Sequence, residues 1–411
     1  MSKPLRARPT VQLWWCNLIH VVNDGYIAGL ALLLPYIAVD LGLSYTEAGL
    51  LKTAIQGAIS ASQIPAGLLS ERVGEMLTLG LGTAWFSLSY AALILAGSYS
   101  VLLLLVILSG VGGGVYHPVG TGLIASVFPA DKSGPAIGTL NFFGDVGKVV
   151  FPALAGVLVV YIGWRGSAAV LGGIGAAISL LYLVYFRREI GRRWRQLAAA
   201  RTSALDLDGK RDNGEARPRG WGIRQPGQFA LYSVVGFIDT GIRSGVVTFL
   251  GFALVDAGVE KAQIGWLVSL TFVGGAFGKL LCGVPMRKWG AAKTIVLTEL
   301  LMVAGCWALP SIPAGWAMMV FLPLFGFMLN GTSSVLYIGL VPTLDPDRHS
   351  RGYALYYTLN FFAGAAAPYL FGLVGDAHGL AAGYYAAGAF MLVGLPLVFF
   401  LRETKPIRAP A

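Results

Sequence analysis

The sequence predicts an all-α membrane protein with twelve transmembrane helices in two pseudo-symmetric six-helix bundles. Three observations carry that expectation. Of 411 residues, 56% are hydrophobic and only 12% charged, against about 25% charged in a typical soluble domain. Apolar runs of the length that crosses a bilayer, about 20 residues, recur along the whole chain. The second half repeats the first at a fixed offset. Only helices or closed barrels satisfy the backbone in hydrocarbon, and the runs are too long for barrel strands of ~10 residues. The 56 glycines fit close helix packing in lipid.

Taken in order, the spans fall near 14–39, 48–70, 77–97, 100–128, 134–162 and 166–187, then 229–255, 262–286, 292–311, 315–342, 352–375 and 381–401. The chain therefore divides into an N-terminal bundle (1–187), a basic linker (188–228) and a C-terminal bundle (229–411). Loop charge sets the orientation. Of the 30 Lys and Arg, odd-numbered loops hold only Arg165 and Lys261, and Lys52, Lys148, Arg243 and Lys279 lie inside spans. The rest occupy the tails and even-numbered loops, which places both termini in the cytoplasm. The net charge of +10 thus reports topology rather than nucleic-acid binding. The linker, with Arg192, Arg193, Arg195, Arg201, Lys210 and Arg211 among its cations, reads as a solvated tether that starts as an amphipathic helix. Lys3, Arg6 and Arg8 precede a first run too long for a signal-peptide core, so that run is expected to be a retained span. Cys16, Cys282 and Cys306 lie in or at the ends of apolar segments without metal-ligand spacing and read as packing residues.

The halves align at an offset of 216. Asp40 and Gly42 map onto Asp256 and Gly258, Gly49 onto Gly265, Gly67 onto Gly283, and Gly74 onto Gly290. Pro152, Leu154 and Gly156 map onto Pro368, Leu370 and Gly372. The pentapeptide at Thr139–Phe143 recurs at Thr358–Phe362, slipped by three.

Three segments carry a family resemblance. Gly67-Leu-Leu-Ser-Glu71-Arg72-Val-Gly74-Glu75 resembles the loop signature between spans two and three of the major facilitator superfamily. Glu71 stands there for the usual Asp, and its pairing with Arg72 would act as a switchable ion pair. In span five, Gly138, Gly147, Phe151-Pro152 and Ala155-Gly156 resemble the antiporter signature, with Pro152 as a kink and Phe151 and Ala155 where glycines are usual. His20-x-x-Asn23-Asp24 and Tyr116-His117-Pro118 resemble the fosmidomycin-resistance branch. That resemblance implies a proton-driven drug or organic-anion exporter that alternates between two open states.

The ionisable residues inside spans are the candidate machinery, because burying one in a bilayer costs at least ~2.5 kcal/mol. Asp24, His117, Asp145 and Asp239 each lie about ten residues from a cytoplasmic helix end, ~15 Å deep at 1.5 Å per residue. Asp24, His117, His20 and Asn23 form the expected proton-coupling group; the competing reading is an inert network that pins span one to span four. Asp145, Lys148 and Lys279 are expected at the interdomain gate, with Gly67, Glu71, Arg72, Gly74 and Pro152. Arg243 suits an anionic substrate, or pairs internally with Asp239. Tyr116, Asn141, Asn330, Tyr337 and Asn360 complete the expected substrate wall. Lys52 is expected to snorkel to the outer interface, and Glu299 to take a packing or lipid-edge role.

The expected function is a secondary transporter of the inner (plasma) membrane, acting as a monomer on protons and a small organic compound. Antiport export leads; symport or exchange of an organic or phosphorylated anion is the alternative. No nucleotide-binding loop, metal spacing or nucleophile–base pair appears, so neither a cofactor, an enzyme activity nor a nucleic-acid partner is expected.

Overall fold

The computed structural model describes residues 9–207, 222–345 and 349–402. The first half contains α1 (Pro9–Leu41), α2 (Tyr45–Val73), α3 (Glu75–Ala91), α4 (Tyr99–Gly113), α5 (Tyr116–Val127) and α6 (Ala130–Tyr185). The helix α7 (Arg187–Leu207) follows. The second half contains α8 (Pro226–Asp256), α9 (Lys261–Leu281), α10 (Gly283–Trp289), α11 (Ala291–Ala308), α12 (Trp316–Leu340), α13 (His349–His378) and α14 (Leu380–Gly394).

Ten helical stretches among the described residues are long and apolar enough to cross a membrane. One of them, 132–185, is two spans. A straight helix of that length would measure roughly 80 Å, far beyond a ~30 Å hydrocarbon layer. The chain turns at Gly163, the one residue of α6 with non-helical angles (φ 68°, ψ 177°). Phe151 and Leu171, from either side of the turn, both lie within 4 Å of the Gly29 Cβ position on α1. The twelfth span is α2, whose Lys52, Gln56, Ser60, Ser62 and Gln63 make it less apolar than the others. Its start is fixed by Ser44, which accepts from Glu47 N while Glu47 Oε2 accepts from Ser44 N; this satisfies two otherwise orphaned donors.

The expected fourth span is interrupted. It runs as α4, a break at Gly114-Val115, then α5. Pro118 has no N–H to give the Gly114 carbonyl four residues back, and its ring clashes with it. At Gly112 and Gly114 an added Cβ would meet Phe86 N at 2.5 Å and Ile59 O at 2.4 Å, so the break is also a place where neighbouring backbones come close.

The 216-residue repeat is visible in backbone geometry. Positive-φ glycines occur in pairs at that offset: Gly42 with Gly258, Gly74 with Gly290, and Gly163 with Gly379. Contacts between the halves obey it too. A Cβ on Gly49 would lie 2.2 Å from the Pro368 carbonyl oxygen, and a Cβ on Gly265 would lie 2.7 Å from that of Pro152. These equivalent crossings, α2 on α13 and α9 on α6, are the sites where only glycine lets the two bundles close.

The bundles meet toward the face opposite the basic loops. There Asp376 accepts from Tyr45 N and Thr46 N (2.8 Å each) at the first turn of α2, a favourable place for a carboxylate. Tyr36 donates to the Lys261 carbonyl (3.2 Å), and the Tyr45 ring meets Phe252. At mid-depth Ser269 donates to Val149 O (2.7 Å) and Ser244 to Gln56 Oε1 (3.3 Å).

Near the basic face, Gly74 makes the α2–α3 turn with φ 98°. Glu71 and Arg72 are both exposed and make no ion pair among the described residues. Adjacent helical residues do not face each other, so the expected Glu71–Arg72 switch is not formed. Glu75 instead faces Arg193 of α7 at 3.9 Å, with the Arg193 stem against Gly74. The helix expected at the start of the linker is thus α7, docked on this turn. Lys210, Arg211 and the other linker charges between 208 and 221 lie outside the described residues.

Candidate transport site

Six of the ionisable residues inside the spans form one connected chain. Asp24 on α1 lies 3.4 Å from His20 Nε2, 3.8 Å from His117 Nε2 and 3.0 Å from Lys148 Nζ. Lys148 also donates to Asp145 Oδ1 at 3.1 Å. Asp145 in turn accepts from Lys279 of α9 at 2.7 and 2.8 Å. The expected proton group and the expected gate are therefore joined through Lys148, from the core of the first bundle across to the second.

Glycine makes this assembly possible. At Gly147 an added Cβ would stand 2.2 Å from the Val21 carbonyl oxygen, and at Gly144 it would stand 2.7 Å from His20 Nε2 and 2.9 Å from Asp24 Oδ2. α6 thus lies directly on the α1 surface that carries His20 and Asp24, which brings Lys148 within reach.

The layering is ordered by exposure. The His117, Lys148 and Lys279 side chains are 34%, 32% and 33% exposed, whereas those of Asp24 and His20 are 9% and 4% exposed. The two lysines are the more exposed partners, and the carboxylates of Asp145 (17%) and Asp24 are more buried. His20 Nδ1 donates to the Leu140 carbonyl at 2.6 Å, so in a neutral ring Nε2 carries the lone pair. That lone pair faces the Asp24 carboxyl, and two lone pairs repel. The arrangement is relieved when one proton sits between them, on Nε2 or on the carboxyl.

Other expected residues are placed differently. Asn23 donates to Gly113 O at 3.0 Å, fastening α1 to the break before α5 rather than facing Asp24's cations. Tyr116 is 1% exposed, gives its hydroxyl to Cys16 O (3.1 Å) and stacks under the His20 ring at 4.2 Å. It supports His20 and is not part of a cavity wall. Lys52 does not snorkel: it is 5% exposed and donates to Ile27 O at 2.6 Å, one helical turn from Asp24. Asn330 donates to Gly326 in its own helix and lies over Gly275 of α9. Asn360 is buried and Asn141 exposed. Pro152 lies at the α6–α9 crossing described above.

In the second bundle, Arg243 lies 3.5 Å from Asp239 and donates to Thr240 Oγ1 at 3.2 Å. Its side chain is 18% exposed and that of Asp239 only 1%. The Tyr337 ring meets Tyr356 edge-on at 5.8 Å and Tyr357 at a tilt at 5.5 Å, within electrostatic range of Arg243.

A family model described as Major Facilitator Superfamily matches residues 15–231 and 232–411. The chain belongs to the Major Facilitator Superfamily. It is accordingly a membrane transporter of small molecules and not an enzyme. The hexuronate transporter of Bacillus subtilis (strain 168) is 23% identical over 95% of this chain and 93% of its own. The probable L-galactonate transporter of Escherichia coli (strain K12) is 31% identical, but the match covers 36% of this chain and 33% of that protein. The tetracenomycin C resistance and export protein of Streptomyces glaucescens is 29% identical over 44% of this chain and 34% of its own. Among solved structures, an inward-facing bacterial homolog of the human lysosomal transporter Spinster aligns at TM-score 0.74 and 16% identity, covering 98% and 97% of the two chains. A partially occluded inward-open form of the xylose transporter XylE from E. coli aligns at TM-score 0.71 and 13% identity, covering 98% and 100%.

Gly144→Ala is expected to disturb the cluster through overpacking worth about 1–3 kcal/mol, and so to slow transport about tenfold or more. Gly138→Ala on the same helix, with nothing within 4 Å, is expected to transport normally. Initial-rate assays in liposomes on both variants check this.

Proposed function

We propose that the protein is a proton-coupled symporter for a small organic anion, with sugar acids as the substrate class. It would reside in the inner membrane with both termini in the cytoplasm. The carrying observation is the order of charges. Lys148 and Lys279 are 32% and 33% exposed and Arg243 18%, while the carboxylates of Asp145, Asp24 and Asp239 are 17%, 9% and 1% exposed. An anion entering the cavity meets cations first. The hexuronate and galactonate relatives support the same substrate class.

Electrostatics favour symport over exchange. An anion bound by Lys148 competes with Asp24 for that cation. Asp24, left facing His20 and His117 in a buried site, then binds a proton more readily. By reciprocity the proton favours the anion equally. Antiport needs the two to exclude each other, which opposite charges do not. The span-five pattern that favoured export has a packing role here: Phe151 fills the space over Gly25, and Gly156 meets Gly265. The branch resemblance at His20–Asp24 and Tyr116–Pro118 remains compatible with proton coupling.

Purified protein in liposomes, given glucuronate and an acid-outside gradient with the membrane potential clamped, is expected to accumulate it. A protonophore should stop the accumulation. Glucuronate expelled against the incoming protons would instead establish the export reading.

A further inference from the structure

We propose that Asp239 and Glu299 form a second proton-binding site, in the second bundle, coupled to substrate through Arg243. This deepens the symport reading and rests on it: the cycle would carry two protons with each monoanion.

Both carboxyls are 1% exposed, and none of their four oxygens has a hydrogen-bond partner among the described residues. Val235 and Ile238 line the same small pocket as Glu299, and so place that face of α8 against it. Asp239 stands on that face, next to Ile238 and one turn from Val235. The rest of the pocket is Met391, Gly394, Leu395 and Val398, which cannot hydrate a charge. On α12, Thr332 faces Glu299 but gives its hydroxyl to Thr298 Oγ1 at 2.8 Å. Cys306 is the neighbouring titratable group on α11. Tyr337 and Tyr356 lie on the Arg243 side, from α12 and α13. The α14 residues of the pocket carry no charge. Arg243 is the cation that Asp239 and Glu299 share.

One guanidinium against two buried carboxylates leaves a net negative charge, which a low-dielectric core does not hold. One proton on the pair removes it. The repeat shows that the fold itself does not require these acids. At the 216-residue offset, Asp239 corresponds to Asn23 and Glu299 to Thr83, both neutral, while glycines at 25 and 241 and at 29 and 245 keep the register. The Arg243 side chain is 18% exposed and is held by Asp239 at a long 3.5 Å. A substrate anion that draws the guanidinium away leaves the two carboxyls facing each other without a cation, and they take up a second proton. Loss of the anion reverses this, with Asp239 and Arg243 as the path to the cavity.

The test uses the full chain in liposomes, glucuronate as probe, and potential clamped by potassium and valinomycin. With two protons per monoanion, wild type is expected to accumulate about a hundredfold per pH unit and Glu299→Gln about tenfold. Wild-type transport should also be driven by an inside-negative potential, and Glu299→Gln should lose that dependence, since one proton with one monoanion carries no net charge. Infrared spectra should show a buried protonated carboxyl band in wild type that Glu299→Gln removes. An unfolded Glu299→Gln leaves the wild-type potential dependence and Asp239→Asn to decide. Tenfold accumulation by wild type, indifferent to potential, overturns the second site while leaving symport intact. A wild type that ignores the pH gradient overturns symport itself.

Discussion

Asp24→Asn is expected to cut proton-driven accumulation about tenfold per pH unit while leaving substrate exchange between the two sides of the membrane. Asp24 is where the described contacts converge: His20, His117 and Lys148 all lie within 3.8 Å of it. Asparagine keeps the shape and can still accept from Lys148, so the fold should survive. It cannot carry the proton that relieves the lone-pair conflict with His20 Nε2. For each proton lost from the cycle, the accumulation a one-unit gradient supports falls about tenfold. With no step left that requires proton binding at Asp24, the pH dependence of the exchange rate should flatten. The check is paired: uphill accumulation of glucuronate, and equilibrium exchange of labelled for unlabelled glucuronate at several pH values. Undiminished accumulation with unchanged pH dependence would remove Asp24 from the coupling.

How far the sequence reaches depends on the range of the interaction. Span lengths and loop charges are summed over many residues, so the bundle and its repeat are legible, and the paired left-handed glycines carry the same offset. Local pairs are legible as well: Lys148 with Asp145 and Arg243 with Asp239 follow from helical spacing. The Asp24–His117 approach was foreseeable from matching depth alone. The Lys148–Asp24 bond was not, because it depends on how closely α6 lies on α1, and that is set by the absence of side chains at Gly144 and Gly147. In a chain with 56 glycines, which glycine permits a close crossing has no local signature. Lys52 and Glu299 failed for a related reason. The Lys52 expectation rests on its position along span two and the Glu299 expectation on the usually peripheral place of span nine, but helix rotation decides whether a side chain meets lipid or core. Lys52 turns to the Ile27 carbonyl, and Glu299 is 1% exposed in a pocket it shares with Val235 and Ile238 of α8. Tyr116 shows the same limit: the neighbour of a cavity-facing His117 points inward, because consecutive helical side chains diverge by about 100°.

Lys148→Met is the most damaging single change expected, and its rescue is specific. The residue neutralises two carboxylates at once, at 3.0 and 3.1 Å. Removing one partner of a buried ionic group costs about 3–5 kcal/mol, because the charges left behind lose their compensation. Asp145 retains Lys279 at 2.7 Å, so the stranded group is Asp24. Adding Asp24→Asn to Lys148→Met removes that stranded charge and leaves the Asp145–Lys279 pair whole. The double variant is therefore expected to regain most of the lost thermal stability. It should regain neither anion binding, which has lost its cation, nor proton coupling, which has lost its acid. Lys279→Met provides the contrast. Asp145 still has Lys148, so stability should fall less, while the ionic tie between the bundles is cut. Melting temperatures of wild type, Asp24→Asn, Lys148→Met and the double variant in detergent form a double-mutant cycle on the Asp24–Lys148 contact. If Lys148→Met with Asp24→Asn proves no more stable than Lys148→Met alone, the two residues do not compensate one another, and the chain of charges is not the unit that holds the site together. If compensation is found, the same contact that stabilises the empty cavity is the one a substrate anion must break. That makes binding and proton uptake two sides of a single exchange of partners at Lys148.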